Sequence, residues 1–299
     1  MTKMVEPANA IAHPTAQAPA RLPAHAISPQ QSTGAAALAA RTATDGADSI
    51  VRLSGIDKRF GNGTVALAGL DLEIGRHEFV SLLGPSGCGK STALRLIAGL
   101  MSPTAGRIAW SGERSQTQRS GIGFVFQEPT LMPWASVRDN VLLPLELQKR
   151  NDAGARKDVD EALAMVGLAG FASAYPRELS GGMKMRASIA RALVTRPELL
   201  LMDEPFAALD EITRIRLNND LLELWRTRSW TVVFVTHSVY ESVYLSNRIV
   251  VMAARPGRII AEHKIDAPYP RDEEFRTSSR YNDYCRVVSK SLAEAIGGA

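Results

Sequence analysis

From about residue 49 onward, apolar and polar positions fall into two recurring rhythms, and the stretch before it follows neither. Alternating or continuous apolar runs predict strands at Val51–Arg59, Leu67–Ile74, Glu78–Leu83, Arg107–Trp110, Ile122–Phe126, Leu199–Met202, Thr231–Val235 and Arg248–Met252. Apolar residues recurring at helical spacing predict helices over Lys90–Gly99, Ser136–Gln148, Lys157–Met165, Gly181–Val194, Ile212–Arg228 and Val239–Leu245. Strands alternating with helices in this way imply an α/β fold with a mainly parallel sheet covered on both faces, and an antiparallel β portion. Between about Pro129 and Met185 the pattern is helical only, so an α-helical subdomain is expected there, inserted into the α/β core.

The first 48 residues are rich in Ala, Pro, Thr, Ser and Gln, and Pro7, Pro14, Pro19, Pro23 and Pro29 interrupt every apolar stretch. Such a segment buries too little apolar surface to offset the entropy of ordering, so a disordered leader is expected over residues 1–48. Residues 268–299 turn polar again, with helical character from Tyr281 to Ile296, and read as a C-terminal helical tail. Two cysteines among 299 residues exclude a disulfide framework. No run of about 18 apolar residues occurs that could span a bilayer. The net charge of +4 is dispersed, without the basic run of a nucleic-acid arm, so no nucleic-acid partner is expected.

Candidate chemistry begins at Gly84-Pro85-Ser86-Gly87-Cys88-Gly89-Lys90-Ser91-Thr92, a G-x-x-x-x-G-K-[ST] phosphate loop. The glycines allow successive backbone N–H groups to turn around phosphate oxygens where a Cβ would block approach. Lys90 supplies a point charge, Ser91 a hydroxyl for Mg²⁺, and the helix beginning near Lys90 its positive dipole end. An apolar strand leads in and a periodic helix leads out, the context a P-loop NTPase core requires. Cys88 reads as a tolerated small residue, since the loop uses backbone there. A second signal is Leu199-Leu-Leu-Met-Asp-Glu204, an apolar strand ending in two carboxylates. Asp203 at the C-terminal edge of a sheet is placed to hold Mg²⁺, and Glu204 to orient an attacking water. The alternative is a solvated acid pair at a strand end.

These two motifs fit many nucleotide hydrolases. Leu179-Ser180-Gly181-Gly182-Met183-Lys184 separates them, because it resembles the LSGG signature of the ATP-binding cassette (ABC) proteins. The resemblance implies an ATPase domain over residues 49–267, with its helical subdomain at about 129–186. It also implies ATP sandwiched between the phosphate loop of one copy and Ser180, Gly181 and Gly182 of a second copy. Further motifs follow in family order. Gln127 matches the glutamine that senses Mg²⁺ and water, Asp210 the contact across the dimer, and His237 the histidine that meets the γ-phosphate. Phe60 matches the aromatic that stacks on adenine. Lys90, Gln127, Glu204 and His237 are thereby the expected catalytic set, and Ser91, Gln127 and Asp203 the expected metal set.

Phe126-Gln-Glu-Pro-Thr-Leu-Met-Pro-Trp134, the signature tail Gly-Met-Lys-Met-Arg186, Thr236–Tyr244 and Ala253-Ala-Arg-Pro-Gly257 are similar to the nitrate/sulfonate/taurine importer ATPases. That similarity implies separate integral membrane permease subunits and, indirectly, a periplasmic solute-binding protein. It implies a peripheral location at the cytoplasmic face of the inner membrane. Leu131, Met132 and Trp134 would form a groove for a partner helix, or fill the subdomain's own core. The competing reading is a soluble, non-transport ABC ATPase of the DNA-repair or translation type. The solute itself stays open.

Overall fold

A computed structural model describes residues 49–111, 121–228 and 230–297, so the leader expected over residues 1–48 lies outside the described residues. The strands are β1 (Ser49–Arg59), β2 (Val65–Gly75), β3 (Phe79–Leu83), β4 (Ala105–Trp110), β5 (Ile122–Val125), β6 (Leu199–Asp203), β7 (Thr231–Thr236), β8 (Arg248–Ala253) and β9 (Arg258–Lys264). The helices are α1 (Lys90–Ile97), α2 (Val137–Leu147), α3 (Ala153–Met165), α4 (Gly181–Leu193), α5 (Glu211–Arg228), α6 (Val239–Leu245), α7 (Glu273–Thr277) and α8 (Ser279–Gly297).

A six-stranded sheet of order β5-β6-β7-β3-β8-β9 forms the centre, and a three-stranded antiparallel sheet of order β2-β1-β4 accompanies it. The expected parallel sheet is found from β5 to β8, while β9 pairs antiparallel to β8. Every residue of β3, β6 and β7 is buried, the signature of strands covered on both faces. Their side chains divide by the strand period of two. Phe79, Leu83, Leu200, Met202, Val232, Phe234, Ile249 and Val251 share one core with the helical side of the molecule. Val80, Leu82, Leu199, Leu201, Val233, Val235, Val250 and Met252 share the other with α1 and the antiparallel sheet.

Three departures from the sequence pattern have physical causes. The β9 strand was not expected, because this edge strand alternates exposed and half-buried residues and carries Arg258, Glu262 and Lys264. The α3 helix starts at Ala153 rather than Lys157, because the Asp152 carboxylate accepts from the Ala155 N–H at 2.7 Å and opens a turn that has no apolar stripe. The α1 helix stops at Ile97, and Gly99 follows in the left-handed region (φ 68°) that commonly ends helices. In the tail, α8 begins at Ser279 and packs on α6, β8 and β9. No helix among the described residues is long and apolar enough to cross a membrane.

Candidate functional site

Strand register assembles the site. Leu83 is level with Thr236, Asp203 with Val235, and Val125 with Met202. Because these strands are parallel, the residues just beyond them, Gly84, Gln127, Glu204 and His237, emerge at one carboxyl edge, where open α/β sheets bind ligands.

The loop from Gly84 to Thr92 wraps as its glycines demand. Gly87 and Gly89 adopt φ of 78° and 93°, in the left-handed region. A Cβ on Gly84 would lie 2.4 Å from the Met252 carbonyl oxygen and 2.7 Å from Cys88 Sγ. The loop leads into α1 through Gly89, which offers no side-chain cap, so the first-turn N–H groups are left for an anion. Ser86 and Gly87 are exposed at the rim, and Pro85, Ser91 and Thr92 are half-buried. The buried Lys90 ammonium donates to the carbonyls of Gly84 (2.8 Å) and Pro85 (3.0 Å). Cys88 is buried beneath the loop, and burial pushes its thiol pKa up despite Lys90 nearby, which fits a small packing residue.

Ser91 Oγ donates to Asp203 Oδ1 at 2.7 Å, joining loop to strand end. Burial pushes the Asp203 carboxyl pKa up, and the Ser91 hydrogen bond and the Arg95 charge pull it back. A desolvated carboxylate beside a hydroxyl suits a hard cation. Among the described residues no group of three His, Cys, Asp or Glu side chains could cage a metal.

Glu204 leaves the strand with φ of 45°, a strained conformation for a non-glycine residue. The turn sends its carboxylate along its own path, 3.7 Å from Lys90 Nζ and 3.3 Å from His237 Nδ1. The structure thus joins Lys90, Ser91, Asp203, Glu204 and His237, and the reading of a solvated acid pair is set aside. Gln127 stands exposed at the same edge. Phe60 is 39% exposed in the turn after β1, outside both cores, with Lys58 Nζ 5.6 Å from its ring centroid.

The remaining candidates gather elsewhere. Ser180 caps α4, accepting from the Met183 N–H at 3.3 Å. A Cβ on Gly181 would meet Leu209 Cδ2 at 3.4 Å, and one on Gly182 would meet Thr213 Cγ2 at 2.7 Å. Asp210 accepts from the Thr213 N–H at 2.9 Å, and bonds to Thr213 hold its carboxyl below the usual range. Ser180, Gly181 and Asp210 are exposed and Gly182 is buried, so the four meet at the start of α4 and the segment that leads into α5. Trp134 is 76% exposed, so it does not fill the helical core, whereas Leu131 is half-buried against it.

The ABC transporter family model matches residues 67–207. An uncharacterized ABC transporter ATP-binding protein of Methanocaldococcus jannaschii is 48% identical over 236 residues, covering 79% of this chain and 87% of that protein. The chain belongs to the ABC transporter ATP-binding family. An aliphatic sulfonates import ATP-binding protein of Bacillus licheniformis is 45% identical over 239 residues, with 79% and 91% covered. Among solved structures, the Clostridium perfringens cbiO1 protein, part of the cbiONQ ABC transporter complex, superposes with a TM-score of 0.67 at 30% identity, covering 73% of this chain and 89% of that one. A dimeric bacterial ABC transporter cassette gives 0.64 at 34% identity, covering 73% and 100%. The cassette is an ATP hydrolase of transporter type, and the soluble repair or translation reading is set aside.

Several residues of the cassette's site carry no signal in the sequence pattern. Arg191 on α4 donates to the carbonyls of Pro129 and Thr130, each at 2.8 Å, and to Thr130 Oγ1 at 2.9 Å. It thereby holds the corner after Gln127, where Thr130 has φ of 47°. Thr236 Oγ1 donates to Glu241 at 2.6 Å and accepts from the Ser238 N–H at 3.0 Å, bracing the turn that bears His237. A half-buried Arg and a Thr at a strand end look unremarkable until their partners across the fold are known.

Proposed function

We propose that two copies of this chain bind and hydrolyse MgATP to drive import of a small solute of the sulfonate, nitrate or taurine kind through separate integral membrane subunits. The observation that carries this reading is the meeting of Lys90, the Ser91–Asp203 pair, Glu204 and His237 at one sheet edge. The sulfonate-import relatives support the solute class, and the dimeric cassette and the cbiONQ complex support the partners. A periplasmic solute-binding protein and a place at the cytoplasmic face of the inner membrane follow from the same reading.

The loop N–H groups and the start of α1 receive the phosphates, and Lys90 exchanges the Gly84 and Pro85 carbonyls for phosphate oxygens. Ser91, Asp203 and Gln127 would hold Mg²⁺, which when bound neutralises charge on the phosphate oxygens. Glu204 orients and polarises the attacking water, and His237 steadies the Glu204 carboxylate and reaches the γ-phosphate. Phe60 stacks on adenine with its open face. Ser180, Gly181 and Gly182 present a second anion-binding site at the start of α4, which serves the nucleotide of the second copy, and Asp210 makes the contact across the dimer.

Glu204→Gln tests the assignment. The amide keeps the shape but removes the base, so turnover should fall about 10²- to 10⁴-fold while ATP still binds. Phosphate release measured beside nucleotide binding reads both. Steady-state hydrolysis at the wild-type rate would remove Glu204 from the mechanism.

A further inference from the structure

Arg271 is 3% exposed and lies well after the last motif in the sequence. Its Nη1 donates to the carbonyls of Val243 (2.9 Å), Tyr244 (3.0 Å) and Ser246 (2.8 Å), and its Nη2 to those of Ile265 (3.3 Å) and Ala267 (3.1 Å). The Tyr269 and Phe275 rings flank the guanidinium at 4.2 and 5.4 Å. Among the described residues it has no carboxylate partner. Its charge is met instead by the carbonyls that α6 leaves unpaired at its C-terminal end, the negative end of the helix dipole.

The α6 helix has seven residues, too few to hold its shape unaided. It begins at Val239, directly after His237 and its cap Ser238. The tail grips it at the other end also, because Tyr281 Oη donates to the Tyr240 carbonyl at 2.9 Å, in the first turn. Tyr269 Oη donates to the Leu245 carbonyl at 3.0 Å, and Tyr244 Oη to the Arg271 carbonyl at 2.6 Å. These are hydrogen bonds to backbone, so they fix where the helix sits and not only what it packs against.

We propose that residues 269–281 form a strap that positions His237, with Arg271 and Tyr281 holding the two ends of α6 and thereby the histidine against Glu204. This rests on the reading of Glu204 and His237 given above. The 3.3 Å between His237 Nδ1 and Glu204 Oε2 leaves little slack, since a hydrogen bond weakens steeply with a shift of a few tenths of an ångström. Arg271 and Tyr281 are positioning residues, and the tail acts on turnover without touching nucleotide.

The test is a cycle in the full-length chain: Arg271→Met and Tyr281→Phe, each alone and combined with His237→Ala, with kcat and ATP affinity measured for all. Tyr281→Phe should lower kcat about 3- to 10-fold, the rate equivalent of one lost hydrogen bond, and Arg271→Met, which removes five, at least as much, each with ATP affinity within about twofold of wild type. Arg271→Lys, which keeps donors at the helix end, should recover part of the loss. In the His237→Ala background the strap variants should cost nothing further, because the residue they position is gone. Equal fold losses in both backgrounds, or folded strap variants with wild-type kcat, would overturn the strap while leaving the site reading intact. If Arg271→Met does not fold, Tyr281→Phe decides, since it removes a single hydroxyl. Wild-type turnover in His237→Ala itself would overturn the site reading and the strap with it.

Discussion

Gly257 lies after β8, far from the phosphate loop in sequence, yet the loop rests on it. Its N–H donates to the Ala66 carbonyl at 3.1 Å, and its own carbonyl accepts from the Ala68 N–H at 3.1 Å. A Cβ added there would stand 2.3 Å from the Cys88 carbonyl oxygen, 2.5 Å from that of Ala66 and 3.0 Å from Leu67 Cδ2. A comfortable carbon–oxygen contact is about 3.3 Å, so Gly257→Ala asks two backbone carbonyls on different segments to retreat by about 1 Å. Overpacking typically costs about 1–3 kcal/mol, and the upper end applies where backbone is struck on two sides. For a domain of this size about 3 kcal/mol lowers Tm by roughly 6–12 °C. Any retreat of the Cys88 carbonyl turns the neighbouring N–H groups out of the cradle, so ATP affinity should fall as well. Thermal melts without nucleotide and ATP titration measure the two effects. Gly170→Ala, where the new Cβ would meet nothing within 4 Å, is the neutral control. A Gly257→Ala chain melting within about 1 °C of wild type, with unchanged ATP affinity, would refute the argument from close approach.

Three further outcomes follow from named contacts. Burial disfavours the ionised Asp203 carboxylate, so Asp203→Asn should melt higher than wild type without nucleotide or Mg²⁺ while losing Mg²⁺-dependent turnover; a lower melting temperature would contradict this. Phe60→Ala removes a stacking face worth about 1–3 kcal/mol, so ATP should bind about 5- to 150-fold more weakly with the metal requirement unchanged. Unchanged affinity would leave Phe60 without a nucleotide role. Burial pushes the Cys285 thiol up to about 11. The folded chain therefore holds that proton more tightly than the unfolded one, and this contribution to stability is present below the ordinary value of 9.0 and lost as pH rises toward 11. Alkylation of native protein should accordingly be slow at pH 8 and quicken about tenfold per pH unit to pH 10; a rate already at its plateau at pH 8 would exclude the raised pKa.

Much of this site is written locally. Gly84 to Thr92 needs only its own glycines to turn and its own helix to point a dipole, and the runs Phe79–Leu83 and Leu199–Asp203 declare by continuous hydrophobicity that both faces are buried. A strand so buried delivers its last residue to the sheet edge, which singles out Asp203 and Glu204; Lys90 is legible from the loop motif, and His237 only from the resemblance to the ABC family. The β9 strand and the start of α3 were less legible, one because an edge strand buries half a face, the other because a cap rather than an apolar stripe begins the helix.

Other features depend on which distant backbone atoms become neighbours. The bend at Glu204, with φ of 45°, is set by its N–H bond to the Val235 carbonyl of the adjoining strand. Arg191 has meaning only because Pro129 and Thr130 are folded beneath it, Gly257 only because Cys88 lies against it, and Arg271 only because α6 ends where the tail returns. The sequence by itself determined the chemistry and the elements that carry it, since motif and hydrophobic period are short-range properties. Tertiary structure decided the geometry that holds that chemistry in place. Buried donors must find acceptors, and a missing Cβ matters only against a surface that another part of the chain supplies.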